Sequence, residues 1–448
     1  TSSSNVTGGS VNNTTTSNAV TVSGGATVTT GVVGTNPVNG GGTALSPTAL
    51  TAGGTFNSTL NVNDNFTGLT ATLNGTTVNG NAADTDIITL GDAAAVAIGN
   101  GTAGGTITNI KTLNLANATN AITFAATTTG ITTVNGGTGN DTVDVTGAGA
   151  SFTAGNVNLG TGTNGLTLGA LTYTGTFSAG AGTDTLSLVN GTNIAGSNVA
   201  GFETLALAAG ASVTMTTAQY NAFTGFTAAG TETLTFSTAG TVSATAFIEN
   251  YNLANGVNSF TGALGLISVI GGTGADTISV GESIINATVA ANGINGGAGV
   301  GDVLIIGPVG AALDLSAKVT GVESVNVTGG TNAAWTVINE NGAGVTLNFT
   351  KSAATAINNV TLGTGGQILN VLGSGTGAAT ITGGSGADTI NLSATQTGAD
   401  TIIGNSVLAN MDTVANFKVA GADVFKTGTN ATTLNLLSIA TADTATLA

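Results

Sequence analysis

Apolar and polar positions alternate along most of this chain with a period of two. Thr185-Leu186-Ser187-Leu188, Thr233-Leu234-Thr235-Phe236 and Gly344-Val345-Thr346-Leu347-Asn348-Phe349 each put aliphatic or aromatic side chains at one parity and small polar ones at the other. Successive side chains of an extended chain point to opposite faces, so these runs predict half-buried strands rich in β-branched residues. Clusters of Gly, Asn and Asp separate them, and the 3.6-residue period of an amphipathic helix is found mainly around Thr217 to Phe223. With only three Pro in 448 residues, the turns fall to Gly and Asn in positive-φ conformations.

Two units recur. Gly-Gly-x-Gly-x-Asp followed by Thr and an aliphatic residue occurs at Gly136-Gly137-Thr138-Gly139-Asn140-Asp141, at Gly271-Gly272-Thr273-Gly274-Ala275-Asp276 and at Gly383-Gly384-Ser385-Gly386-Ala387-Asp388. Chance at this chain's own Gly and Asp frequencies predicts far fewer than one copy. Degenerate copies surround them: Gly182-Thr183-Asp184, Gly162-Thr163-Asn164, Gly299-Val300-Gly301-Asp302 and Gly398-Ala399-Asp400. The second unit introduces a strand with Gly, an apolar residue and an acid, as in Gly201-Phe202-Glu203-Thr204-Leu205 and Gly321-Val322-Glu323-Ser324-Val325. Neighbouring copies start 20 to 25 residues apart, the spacing of stacked solenoid rungs.

The fold class read from this is all-β: a β-solenoid, a parallel β-helix-like roll of short Thr/Val/Ile/Leu strands and Gly-Asp turns, with room for β-sandwich-like portions. Residues 1–55 read as a Thr/Ser/Asn/Gly-rich arm or short-strand domain, 56–260 as a first β-repeat region and 261–448 as a second.

Composition narrows the chemistry. The chain has five Lys and Arg together, no His and no Cys against 21 acidic residues, for a net charge of −16. No His-based triad, zinc motif, thiolate nucleophile or disulfide can be built. Nucleic-acid binding lacks the positive charge that replaces released counterions. Charged residues are only 6% and hydrophobic ones 41%, unlike a disordered chain. No apolar run reaches the length of a membrane span, and the chain opens without a basic-then-apolar leader.

In the Gly-Gly-x-Gly-x-Asp turn, glycines let backbone carbonyls point inward while the carboxylate closes the concavity. Hard oxygen donors of this kind suit calcium, which takes 6 to 8 of them, so a full site needs a second turn stacked beside the first, or waters. The candidate metal residues are Gly136, Thr138, Asp141 and Asp184, then Gly271, Thr273, Asp276 and Asp302, then Gly383, Ser385, Asp388 and Asp400. Asp276 is expected to pair with Asp302, Asp388 with Asp400, and Asp141 with the turn at Asn164. The same turns also serve simply to end strands, Asp being a common turn former. Asp84 and Asp86 read as a degenerate calcium or turn site, and Trp335 as a core residue.

The three full turns resemble the RTX nonapeptide, whose family forms a calcium-bound parallel β-roll. Isolated RTX-like turns alternating with Gly-(Phe/Val)-Glu strands, in a Cys-free, Lys-poor chain, are similar to the calcium-dependent surface-layer proteins of Gram-negative bacteria. The run from Asp400 through Asp412-Thr413-Val414 to Asp423-Val424-Phe425 resembles the segments that close RTX arrays in exported proteins. These resemblances imply Ca2+ as cofactor, type I secretion, an extracellular cell-surface location and assembly with further copies of the chain, with cell-surface polysaccharide as a further partner. A calcium-stiffened adhesin or filament subunit is the alternative. A glycoside-cleaving enzyme using paired carboxylates is a third reading.

Overall fold

The computed structural model describes residues 4–7, 10–13, 20–23, 27–30, 48–49, 55–58, 65–68, 77–80, 82–83, 85–92, 94–98, 106–125, 130–309, 312–315, 317–329, 336–339, 344–350, 358–373, 377–395, 398–404, 411–418, 423–427 and 439–440. Trp335 and Asp84 lie outside them. The chain divides into two compact units, Thr1–Glu232 and Thr233–Ala448. Each is a parallel β-solenoid, as the strand-turn spacing predicts. Among the described residues the ladders are parallel, and no antiparallel pairing of the kind a sandwich requires is found.

In the first unit a seven-stranded sheet runs through Ala94–Ile98, Asn120–Phe124, Asp141–Asp144, Gly165–Leu168, Thr185–Leu188, Thr204–Leu207 and Gly225–Thr227. A second sheet includes Asp86–Leu90, Ile110–Asn114, Thr133–Thr138, Asn156–Thr161, Thr176–Ser178 and Asn198–Ala200. Each rung supplies one strand to each sheet, joined by a Gly-rich corner. Thus Thr133–Thr138 turns into Asp141–Asp144 through Gly139, at φ +134°, a conformation open to Gly at no steric cost.

The period-two pattern explains the packing. Leu166, Leu186 and Leu205 stack in one inward column and Leu168, Leu188 and Leu207 in the next, all buried. Each buried aliphatic side chain contributes about 1.5–3 kcal/mol, and a one-residue slip of register would turn it outward.

In the second unit the ten-stranded sheet includes Thr241–Ser243, Ser259–Thr261, Thr277–Ser279, Val303–Val309, Ser324–Gly329, Thr346–Thr350, Ile368–Leu372, Thr389–Asn391 and Thr413–Ala415. Its partner strands are first Asn250–Asn252, Ser268–Ile270, Ile294–Asn295 and Val319–Thr320, and later Thr336–Asn339, Asn358–Leu362, Ala379–Thr382, Thr401–Gly404 and Val424–Thr427. On the outer face Asn348 donates to Asn326, Asn370 to Asn348 and Asn391 to Asn370, each at 2.8 Å between side-chain amides. Like residues facing like residues in this ladder hold the register from outside, as the aliphatic columns hold it from inside.

Among the described residues helix is confined to short segments. The predicted one forms as Thr217–Ala222, with Thr216 and Gln219 making a reciprocal capping box. A second, Glu282–Ala287, follows Gly281 with no side-chain cap, so it lacks the capping signal that marks the first.

Candidate metal-binding columns

The acid that ends each turn is also the first inward position of the strand that follows. Asp141 shares parity with Val143 and Val145, Asp276 with Ile278 and Val280, and Asp388 with Ile390 and Leu392, and all nine side chains are buried. These carboxylates therefore sit at the edge of the hydrophobic core. Among the described residues Asp86, Asp141, Asp184, Glu232, Asp276, Asp302, Asp388, Asp400, Asp412 and Asp423 are buried, so much of the chain's negative charge is held inside it. Unsolvated charge of that kind is costly unless hydrogen-bonded and compensated.

Hydrogen bonding comes from the backbone of the preceding rung. In the first unit the Asp141 N–H donates to Asn164 Oδ1 at 2.8 Å, the Asn164 N–H to Asp184 Oδ1 at 2.7 Å, and the Asp184 N–H to Glu203 Oε2 at 2.8 Å. In the second the Asn258 N–H donates to Asp276 Oδ1 at 2.8 Å, the Asp276 N–H to Asp302 Oδ1 at 2.7 Å, and the Asp302 N–H to Glu323 Oε2 at 2.7 Å. Further along, Gln367 N–H donates to Asp388 Oδ1 at 2.8 Å and Asp388 N–H to Asp412 Oδ1 at 3.1 Å. Ala379 N–H donates to Asp400 Oδ1 at 2.8 Å and Asp400 N–H to Asp423 Oδ1 at 2.9 Å. Each column is a chain of side chains capping the amides of the rung before.

Two of the three expected pairings are adjacent in these columns, Asp141 with Asn164 and Asp276 with Asp302. The third is corrected: Asp388 precedes Thr389–Asn391 of the ten-stranded sheet, whereas Asp400 precedes Thr401–Gly404 of the facing sheet. They occupy opposite corners of the rung and pair with Asp412 and Asp423 instead. Glu203 and Glu323, which the sequence places in a separate strand-initiating unit, belong to the same columns as the Gly-Gly-x-Gly-x-Asp acids. Their separations of 19 and 21 residues from Asp184 and Asp302, one rung each, and their shared parity with Leu205 and Val325 are the signals that place them there. Thr138, Thr273 and Ser385 sit at the exposed tips of the turns, where the N–H groups of Thr138 and Thr273 donate to Asn117 and Asn255 at 3.1 Å.

The first glycine of each full turn makes room for oxygen. A Cβ on Gly136 would lie 2.7 Å from Asp141 Oδ2 and overlap the Leu159 carbonyl oxygen of the next rung. On Gly271 it would lie 2.5 Å from Asp276 Oδ2 and overlap the Gly296 carbonyl oxygen, and on Gly296 it would lie 2.9 Å from Asp302 Oδ2 and overlap that of Gly321. Gly80 forms the same cradle for Asp86, with Oδ2 at 2.6 Å. On Gly383 the same Cβ overlaps the Asp412 carboxylate.

The carboxylates are not uniformly satisfied. Asp276 Oδ2 and Asp388 Oδ2 accept the Gly272 and Gly384 N–H groups at 3.2 Å. By contrast, Oδ2 of Asp141, Asp184 and Asp302 is buried with no hydrogen-bond partner. Burial pushes the carboxyl groups of Asp141, Asp184, Asp302 and Asp388 above the usual aspartate range. The charge of Glu203 adds to the rise at Asp184, and those of Asp276 and Glu323 to the rise at Asp302.

An orphaned carboxylate oxygen beside a backbone carbonyl calls for a proton or a cation. The all-oxygen donor set fits calcium. Among the described residues no three Asp or Glu side chains gather into a metal-holding group, so carbonyls such as those of Leu159, Gly296 and Gly321, with water, would have to complete the coordination.

The acids also carry the structure without any ion. Asp276→Ala strips the Asn258 and Gly272 N–H groups of their acceptor, and is expected to cost about 2 kcal/mol or more at 1–3 kcal/mol per orphaned group. Thermal unfolding checks this, with Asp276→Asn, which keeps an oxygen for Asn258, expected to lose less.

Fold and columns together define a parallel β-solenoid with acid-lined corners. No protein-family model, curated protein or solved structure matches the chain. Among the described residues no helix is long and apolar enough to cross a membrane.

Proposed function

We propose that this protein is a structural component of an extracellular, self-assembling surface layer, secreted by a type I route and folded by calcium. The observation that carries the reading is the set of buried, unpartnered carboxylate oxygens at Asp141, Asp184 and Asp302. Buried acids in stacked columns need a proton or a cation, and at neutral pH a cation is the favoured partner; extracellular calcium modules bind at about 10⁻⁴–10⁻³ M. Calcium, when bound, would neutralise the columns and tie each rung to the next through Asp Oδ2 and a carbonyl of the following rung. Its binding free energy is then folding free energy, available outside the cell.

The acids act here as structural ligands, since their Oδ1 atoms are engaged by backbone amides rather than turned to a substrate. Assembly is supported by the parallel strands with outward columns of Thr, Ser and Asn. They give long, repetitive surfaces with few of the Lys and Pro residues that ordinarily discourage edge association.

The test is negative-stain electron microscopy of the purified protein across a calcium titration with a chelator control. Ordered sheets or filaments that form near millimolar calcium and dissolve in chelator are the expected result. Discrete folded particles at every calcium concentration would overturn the lattice and leave a calcium-stiffened stalk or adhesin.

A further inference from the structure

The Gly-(Phe/Val)-Glu unit recurs in both halves of the chain, and calcium binding at the Gly-Gly-x-Gly-x-Asp turns gives it no role. In each occurrence the Glu occupies the rung that follows an Asp. Glu203 Oε2 accepts the Asp184 N–H at 2.8 Å, and Glu323 Oε2 accepts those of Asp302 at 2.7 Å and Gly301 at 2.9 Å. These hydrogen bonds do not need a charge. Asn164 makes the same bond to Asp141, and Asn258 a like one to the Gly240 N–H at 3.1 Å, with neutral amides.

A carboxylate at 203 and 323 therefore adds only a negative charge, set against a buried acid whose Oδ2 has no partner in either unit. Two carboxylates at one place repel unless a cation lies between them. The exposure pattern opens such a place to ions: Asp184 and Asp302 are fully buried, while Glu203 is half-buried and Glu323 exposed. At the second of them, the Gly321 carbonyl oxygen and Asp302 Oδ2 both border the space beside Gly296.

We propose that Glu203 and Glu323 complete the degenerate turns at Asp184 and Asp302 as two mixed-carboxylate sites for a hard divalent cation such as calcium, separate from the three full Gly-Gly-x-Gly-x-Asp turns. The proposal rests on the calcium reading above, and adds ligands that the turn motif does not contain. Each site joins a buried Asp oxygen to a Glu nearer solvent, half-buried at 203 and exposed at 323, so a cation enters from the Glu side.

Glu203→Gln and Glu323→Gln are the discriminating variants, since a Gln oxygen keeps the hydrogen bond from the Asp N–H and loses only the charge. Calcium stoichiometry is measured by isothermal titration and by counting metal retained after gel filtration, with folding followed by circular dichroism. Each substitution is expected to remove one bound calcium, or to weaken one site at least tenfold, while the double variant loses two. Wild-type protein that binds calcium, with both variants binding as many ions as tightly, would overturn this proposal and leave the turn sites standing. Wild-type protein that binds no calcium would overturn both.

A gain-of-charge variant covers the case in which the Gln variants do not fold. Asn164→Asp puts an acid on the rung next to the buried Asp184, and is expected to increase the rise in melting temperature between chelator and calcium. No increase would count against the proposal.

Discussion

Gly271→Ala is expected to cost about 3 kcal/mol or more, although it adds a single methyl group. Overpacking a tight site costs about 1–3 kcal/mol and occasionally more, and this site has no flexible wall. The new Cβ would meet Asp276 Oδ2 at 2.5 Å and overlap the Gly296 carbonyl oxygen. That carbonyl belongs to the next rung and cannot retreat without opening a strand spacing of about 4.8 Å. Gly271 does not need a left-handed backbone, so the penalty is steric and not torsional. Gly307→Ala supplies the contrast: nothing lies within 4 Å of its added Cβ and its φ is not positive, so Ala is expected to gain up to about 0.4–1 kcal/mol over Gly. Thermal unfolding in calcium should separate the two by about 6 °C or more. Equal melting temperatures would remove the cradle as the reason for the first glycine of the motif.

The metal-stripped protein should grow more stable as the pH is lowered from 7 toward about 4. Burial raises the folded-state pKa of Asp141, Asp184, Asp302 and Asp388, whereas in the unfolded chain these groups titrate near about 3.9. Above that value the folded state holds protons that the unfolded state has released. The stability linked to them is fully present below about pH 4 and is lost as the pH rises through the folded-state values. If calcium binds as proposed above, it would replace the proton at these oxygens, and at millimolar calcium the profile should flatten. Melting temperatures between about pH 4 and 8, with and without calcium, decide the matter. A metal-free profile that rises with pH would mean that the buried acids are already compensated within the fold. Asp302→Asn, which keeps an oxygen for the Asp276 N–H, should reduce the metal-free slope and the calcium gain together.

Much of the fold was legible because its information is periodic. Alternation gave the strands, Gly-Asp punctuation gave the corners, and the 20 to 25-residue recurrence gave the stacking. The two sheets of a rung were not legible as separate bodies, so Asp388 and Asp400, 12 residues apart in the sequence, look like neighbours when they lie at opposite corners. Parity held more than the motif did. Asp276 is in phase with Ile278 and Val280, which places it indoors, while the Gly-rich sequence before it reads as an open surface turn. Glu203 and Glu323 look like strand-initiating residues of a different unit until the rung length superimposes them on the acid column. The helix Glu282–Ala287 was hidden because it starts after Gly281 with no capping side chain, whereas Thr217–Ala222 of equal length carries the Thr216–Gln219 box.

The columns also have a direction. At every step the side chain of a later rung receives the amide of an earlier one, as Glu323 receives Asp302 and Asp302 receives Asp276. Trimming rungs from the carboxyl-terminal side thus takes acceptors away from amides, whereas trimming from the amino-terminal side takes donors away from carboxylates. Each column therefore has unlike ends, because its side-chain acceptors always face the earlier rung and its amide donors the later one.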